Sequence, residues 1–241
     1  VYINSSIIRY IDPVTRQGGA LTIFNQEPHK LDLRRYRDYL IEQIAKSGVN
    51  VRLNTKATPE LVKNLNPDHL ILALGGKWAI PPIPGIERGL TPAQAYTNPI
   101  PNGKSVAILG GGAIGCELAL KFAETGCPVV LIEQGSELHR GENLLVGLAL
   151  DEHLKRCENL KILRETCCLK VNSEHIVVEK TGVLMTIPAD ILIICTGIEP
   201  LSEEADRFYG ITCHTWKIGD VKRPGNIKAA TLDGWMAGSQ D

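Results

Sequence analysis

Gly110, Gly112 and Gly115 stand at G-x-G-x-x-G spacing directly behind the apolar run Val106–Leu109, a combination suited to holding a diphosphate. Each glycine has a mechanical task. Gly110 permits a tight turn out of a strand, Gly112 leaves main chain bare for a pyrophosphate to approach, and Gly115 lets the following helix settle onto the sheet. With Gly111, Ala113 and Ile114 between them, the stretch opens a helix whose first N–H groups lack intrahelical acceptors and are aimed at the phosphates. A second apolar run, Val129–Ile132, ends in Glu133, about 20 residues beyond the glycines. A carboxylate there accepts hydrogen bonds from both hydroxyls of an adenosine ribose and repels a 2′-phosphate. That predicts NAD over NADP, with Arg140 near enough in sequence to soften the preference.

These groups need a strand, a helix and a second strand to position them. Ile114, Leu118 and Phe122 recur at helical spacing, Gly126 is placed as a C-terminal cap, and Pro128 stops the helix. Upstream, Ile7–Ile11 reads as a strand ending at Asp12, followed by a loop with Gly18 and Gly19. Asp32 is expected to cap a helix over 33–46, with Leu33, Tyr36, Leu40 and Ile44 on one face. Val49–Leu53 reads as a strand, Thr58-Pro59-Glu60 as a helix start, and Asp68–Leu74 as a buried strand that stops at Gly75-Gly76. Pro81, Pro82, Pro84 and Gly85 suggest a linker leaving one domain, and a short helix from Pro92 leads to a boundary near residue 100. Beyond Glu133 come a helix over 144–154 with Leu144, Leu148 and Ala149 inward, and short strands at 161–163, 169–171, 175–179 and 184–187. Ile191–Cys195 is a fully apolar strand closed by Thr196-Gly197. The alternation predicts a doubly wound α/β architecture.

Composition narrows the partners. The chain has 241 residues, 44% of them hydrophobic, enough for one large or two small cores. With 26 basic and 27 acidic residues there is no charge field for nucleic acid or a membrane surface. No apolar run approaches the length of a membrane span, and a soluble cytoplasmic protein is expected. Seven cysteines with no C-x-x-C fit reduced thiols and offer neither a zinc site nor a redox disulfide. No histidine spacing suggests a metal.

The order Gly18-Gly19, Leu74-Gly75, Gly110–Glu117, Cys195-Thr196-Gly197 and Ile218-Gly219-Asp220 resembles the pyridine nucleotide-disulfide oxidoreductase, or two-dinucleotide flavoprotein, superfamily. Within it the sequence is most similar to the C-terminal FAD and NAD domains of 2,4-dienoyl-CoA reductase, enoate reductase and trimethylamine dehydrogenase type NADH:flavin oxidoreductases. The resemblance covers essentially the whole chain. It implies two Rossmann-like three-layer domains, an NAD domain at 100–199 inserted into an FAD domain made of 1–99 and 200–241. It also implies that Asp12 contacts the FAD adenosine ribose, that Asp220 after Gly219 holds the ribityl chain, and that Gly75 and Gly197 close strands beside the cofactors. Glu117 would face the nicotinamide, and a helix beginning near Asn226 would point its N-terminus at the flavin.

A complete member opens with its own glycine-rich strand and helix about 30 residues before the first strand-end acid, whereas here Asp12 lies about 11 residues from the start. The expectation is therefore a truncated FAD domain, with FAD binding in this chain left open. A flavin barrel and Fe–S domain are expected upstream, in the same or a partner polypeptide. The function implied is an NADH-dependent module that passes hydride to FAD and electrons onward, with no side-chain nucleophile. The alternative is a non-catalytic module that binds an adenine nucleotide in a larger flavoprotein.

Overall fold

The computed structural model describes residues 8–24, 30–141 and 143–239. Ile7, expected in the first strand, lies outside the described residues. In chain order the first elements are β1 (Arg9–Ile11), α1 (Leu21–Phe24), α2 (Leu31–Lys46), β2 (Asn50–Arg52), α3 (Pro59–Leu65), β3 (His69–Leu72), β4 (Gly76–Trp78) and α4 (Pro92–Thr97). Then follow β5 (Val106–Leu109), α5 (Ala113–Glu124), β6 (Val129–Ile132), α6 (Leu144–Arg156), β7 (Leu160–Leu163), β8 (Thr166–Val171), β9 (His175–Lys180), β10 (Val183–Pro188) and β11 (Ile191–Ile194). The chain closes with β12 (Ile198–Pro200), α7 (Ser202–Asp206), β13 (His214–Lys217) and α8 (Ile227–Gly238).

Two compact units share this chain: one contains the residues up to Lys77 and those from Ile198 on, and the other is Trp78–Gly197. The first crossing thus falls at 77–78, well before the boundary expected near residue 100. The cause lies in the proline stretch, which is packed in the second unit. The Val171 N–H donates to the Pro84 carbonyl at 2.8 Å, and Ile86 enters the core. Leu90 then pairs with β11, its N–H donating to the Leu192 carbonyl and its carbonyl accepting from Ile194, both at 2.8 Å.

The second unit is built on a parallel sheet in the order β11-β5-β6-β7, beside an antiparallel sheet β10-β9-β8. All of β5 is buried, as a parallel strand covered on both faces requires. Ile108, Leu118, Leu131 and Ile193 are fully buried, and each contributes about 1.5–3 kcal/mol of transfer free energy. Gly126 ends α5 as expected: at φ +83° it donates to the Ala123 carbonyl at 2.9 Å while Cys127 donates to Phe122 at 3.0 Å. Helix α6 departs from expectation, because it buries Gly147 and Leu154 and leaves Leu144 and Leu148 exposed.

In the first unit, β1-β2 and β13-β3 form separate two-stranded parallel ribbons. Val62, Leu72, Ala205, Phe208 and Val221 make its core. Thr58 caps α3, accepting from the Leu61 N–H at 3.2 Å with Pro59 at the first helical position. Asp32 does not cap α2. The helix begins one residue earlier, so Asp32 sits in its first turn, where its charge favours the helix dipole. The two crossings, β4 and β12, pair with one another. Within the first unit Lys77 Nζ lies 3.5 Å from Glu199 Oε2, and within the second the Ala79 N–H donates to the Gly197 carbonyl at 3.0 Å.

One carboxylate at the amino edge of the parallel sheet gives a pH prediction. Asp190 accepts from the Ser105 N–H and hydroxyl, both at 2.8 Å, and from Lys104 Nζ at 3.1 Å. The Ser105 bonds, then Lys104, hold its carboxyl down at about 2. Its folded value lies below its unfolded value of about 3.9, so its contribution is whole above pH ~4 and is lost as pH falls toward 2. Asp190→Asn is therefore expected to flatten the fall of melting temperature between about pH 4 and 2. A wild-type slope in the variant over that range overturns the prediction.

Candidate functional site

The parallel sheet reverses direction at β5, since the chain steps from β5 to β6 and β7 and then returns to β11 on the other side. The crevice beyond the carboxyl ends of such strands is where α/β sheets bind ligands. The Gly110–Gly115 turn leaves β5 there. Gly110 has φ +101°, and a Cβ on it would meet the Cys195 carbonyl oxygen at 2.2 Å. A Cβ on Gly115 would lie 1.9 Å from the Gly110 carbonyl oxygen, so only glycine lets α5 start this close to the strand end. Gly112 differs from both. Its φ of −65° suits any residue, and an added Cβ would meet nothing within 4 Å. Its main chain is bare toward open space, and α5 starts at Ala113 with no side-chain cap. Ala113 and Ile114 are half-buried in that first turn.

Glu133 directly follows β6 and binds this turn. Its Oε2 accepts from the Gly111 N–H at 2.7 Å, and its Oε1 accepts from the Gly135 N–H at 2.6 Å. Each oxygen keeps a further lone pair for a ligand hydroxyl. The next peptide is held as well, because the Gly111 carbonyl accepts from the His139 N–H at 2.7 Å. Gly197, two residues past Cys195 at the end of β11, is exposed with φ +107°. Glu117, one turn into α5, accepts at Oε2 from the hydroxyl of buried Tyr96 at 3.4 Å.

The remaining expected residues belong to the first unit. Asp12 follows β1, accepting from the Tyr10 hydroxyl at 2.5 Å and from the Val14 N–H at 3.1 Å. Burial and then the bond to Asp12 hold the Tyr10 phenol above its ordinary range. Gly75 follows β3 with φ +74° and open space at its Cβ position. Gly219 and Asp220 follow β13, the strand paired with β3. The Gly219 N–H donates to Asp233 at 3.1 Å, and Asp220 Oδ1 accepts from the Gly225 N–H at 3.0 Å. Asn226 caps α8 through the Ala229 N–H at 3.0 Å. Gly75 and the Gly219-Asp220 pair thus share one carboxyl edge. Tyr96, Gly135, His139 and Asp233 are additions from the structure. Only Gly135 had a local sequence signal, two residues after a strand-end acid.

Thiol chemistry finds no support near the turn. Burial pushes the Cys116 and Cys195 thiols up to about 12, so both stay protonated at neutral pH. Among the described residues no group of histidines, cysteines and carboxylates is placed to hold a metal, and no helix is long and apolar enough to cross a membrane.

A parallel sheet that carries a bare glycine turn and a strand-end carboxylate at its switch point has the architecture of the dinucleotide-binding α/β class. Family comparison agrees over most of the length, with residues 56–230 matching the pyridine nucleotide-disulphide oxidoreductase model. The chain belongs to that family, whose members are oxidoreductases that bind FAD and a nicotinamide nucleotide. It is 27% identical to the bilirubin reductase of Mediterraneibacter gnavus over 92% of this chain and 35% of that protein. It is 26% identical to the metal reductase of Desulforamulus reducens over 88% of this chain and 37% of that one. The chain therefore spans about a third of the length of these relatives. Among solved structures, a 2-naphthoyl-CoA reductase superposes with a TM-score of 0.89 at 24% identity, covering 98% of this chain and 36% of that one, a likeness of fold.

Proposed function

We propose that this chain is the electron-input module of a larger flavoprotein reductase, taking reducing equivalents from NADH. The observation that carries the reading is the open main chain at Gly112, set at the switch point beside the Glu133 carboxylate. A nicotinamide nucleotide and FAD bound together supply hydride transfer from the reduced nicotinamide to flavin N5.

The chain's own residues provide binding, orientation and a site that excludes water. Gly112, Ala113 and Ile114 offer main-chain N–H groups to the diphosphate, with Gly110, Gly111 and Gly115 shaping the turn. Glu133 accepts from the adenosine ribose, which favours NAD over NADP. Glu117 and Gly197 border the nicotinamide. In the first unit Asp12, Gly75, Gly219 and Asp220 serve FAD; the Asp220 carboxylate past the end of β13 and the bare backbone at Gly75 fit such a role. The Trp78–Gly197 unit would then be the nicotinamide domain and the other unit the flavin domain. Electrons pass onward to a centre in the rest of a longer polypeptide, in the cytoplasm, with neither nucleic acid nor membrane as partner.

Colour tests this. Protein that is yellow as purified, or after FAD is added, and bleaches on anaerobic addition of NADH upholds the proposal. Protein that stays colourless with FAD yet binds NAD or ADP replaces it with a non-catalytic nucleotide-binding role. Binding of neither cofactor overturns both.

A further inference from the structure

We infer that His139 is a positioning residue for the glycine turn, clamped by α6 so that its main chain fixes Gly111 and, through Gly111, the Glu133 carboxylate. The inference rests on reading the Gly110–Gly115 turn as the dinucleotide site and names a device that sets its shape.

His139 occupies the left-handed region, with φ +40°, which few non-glycine residues visit and histidine visits more often than most. From there its ring reaches α6. A Cβ on Gly147 would lie 2.8 Å from both Cε1 and Nδ1 of the His139 ring, so the imidazole rests against the helix backbone itself. Glycine inside a helix is a poor helix former, and here it makes room for the ring. One turn further on, Asp151 Oδ1 lies 3.1 Å from His139 Nε2. An ionised carboxylate only accepts, so Nε2 carries the proton and donates it. Both side chains are largely withdrawn from solvent, at 18% and 33% exposure.

The ring is thereby held at two points of α6, and the main chain of the same residue reaches the turn. The His139 N–H donates to the Gly111 carbonyl at 2.7 Å, and the Gly111 N–H donates to Glu133 Oε2 at 2.7 Å. Leu138 closes over Gly111, where an added Cβ would meet its Cδ2 at 2.5 Å. Both peptide groups flanking the Gly111 Cα are pinned, and the pin on the carbonyl side is anchored in α6. The clamp also explains which face α6 buries, since Gly147 must lie inward to receive the ring.

The test uses the full chain and two measurements: NADH affinity by calorimetry, and amide hydrogen exchange at residues 111 and 139 in the unliganded protein. His139→Gly removes the ring and relieves the backbone conformation, while Gly147→Ala keeps the ring, displaces it and improves helix propensity. Both are expected to weaken NADH binding about tenfold and to speed exchange at both amides by at least about tenfold. His139→Gln keeps a donor at similar reach and Asp151→Asn keeps an acceptor, so both should stay within about threefold of wild type. If His139→Gly does not fold, Gly147→Ala alone decides. Wild-type affinity in Gly147→Ala overturns the inference even where exchange rises. If the wild-type chain binds no NADH, the nucleotide reading fails, and exchange alone settles whether α6 pins Gly111.

Discussion

Gly112→Val is expected to fold as the wild-type chain does and to bind no measurable NAD or NADH. The backbone at this position, φ −65° and ψ 178°, is one that valine adopts readily, and a Cβ meets nothing within 4 Å. The change costs the folded state only the poorer helix-cap preference of valine, about 1 kcal/mol or less, which lowers the melting temperature by a few degrees at most. In the proposed site the diphosphate touches main chain in this same open space, and a branched side chain would fill it. Calorimetry with NADH, paired with a melting curve, checks both halves. Retained affinity removes the turn from the site, and a collapse of stability means the position was read wrongly. Gly115→Ala makes a useful contrast. Its methyl would stand 1.9 Å from a carbonyl oxygen, so it should disrupt the turn itself and lose stability and binding together.

Glu133→Arg is expected to lower the NAD to NADP affinity ratio at least about tenfold and to lower the melting temperature as well. Loss of the ribose acceptor and gain of a cation near a 2′-phosphate account for the first effect. The second follows from the bonds at 2.7 and 2.6 Å to Gly111 and Gly135, whose N–H groups lose a charged acceptor. Net hydrogen bonds to a charged group are worth about 1.5–3 kcal/mol each, so losing both is expected to lower the melting temperature by about 6 °C or more. An unchanged ratio takes Glu133 away from the ribose, and an unchanged melting temperature takes it away from the turn. Together the two variants separate ligand contact from support of the loop, since the first should spare the fold and the second should not.

The glycine turn was legible in sequence because its requirements are local. Gly110, Gly112 and Gly115 answer to each other across a single turn, and Gly126 with Pro128 closes the helix they open. The strand cores were legible for the same reason, as with β5, where four consecutive apolar residues match complete burial. What resisted reading depends on partners distant in the chain. Pro81–Pro84 looks like a linker until Val171 is seen to donate to Pro84. Leu144 and Leu148 look like a buried stripe until the His139 ring is found against Gly147, which turns the opposite face inward. The carboxylate of Glu133 looks free in sequence, and only the folded chain reveals that it braces the Gly110–Gly115 turn.

The paired crossings have a consequence for protein engineering. Gly76 lies so close to β12 that a Cβ on it would meet Ile198 Cγ2 at 2.3 Å, and Ala79 reaches Gly197 by a backbone hydrogen bond. Entry and exit of the inserted stretch are therefore neighbours, and excising residues 78–197 leaves two cut ends that a linker of a few residues can rejoin. The excised stretch, its own termini already side by side, is equally suited to circular permutation, so either half can be recloned alone and assayed for the cofactor proposed for it.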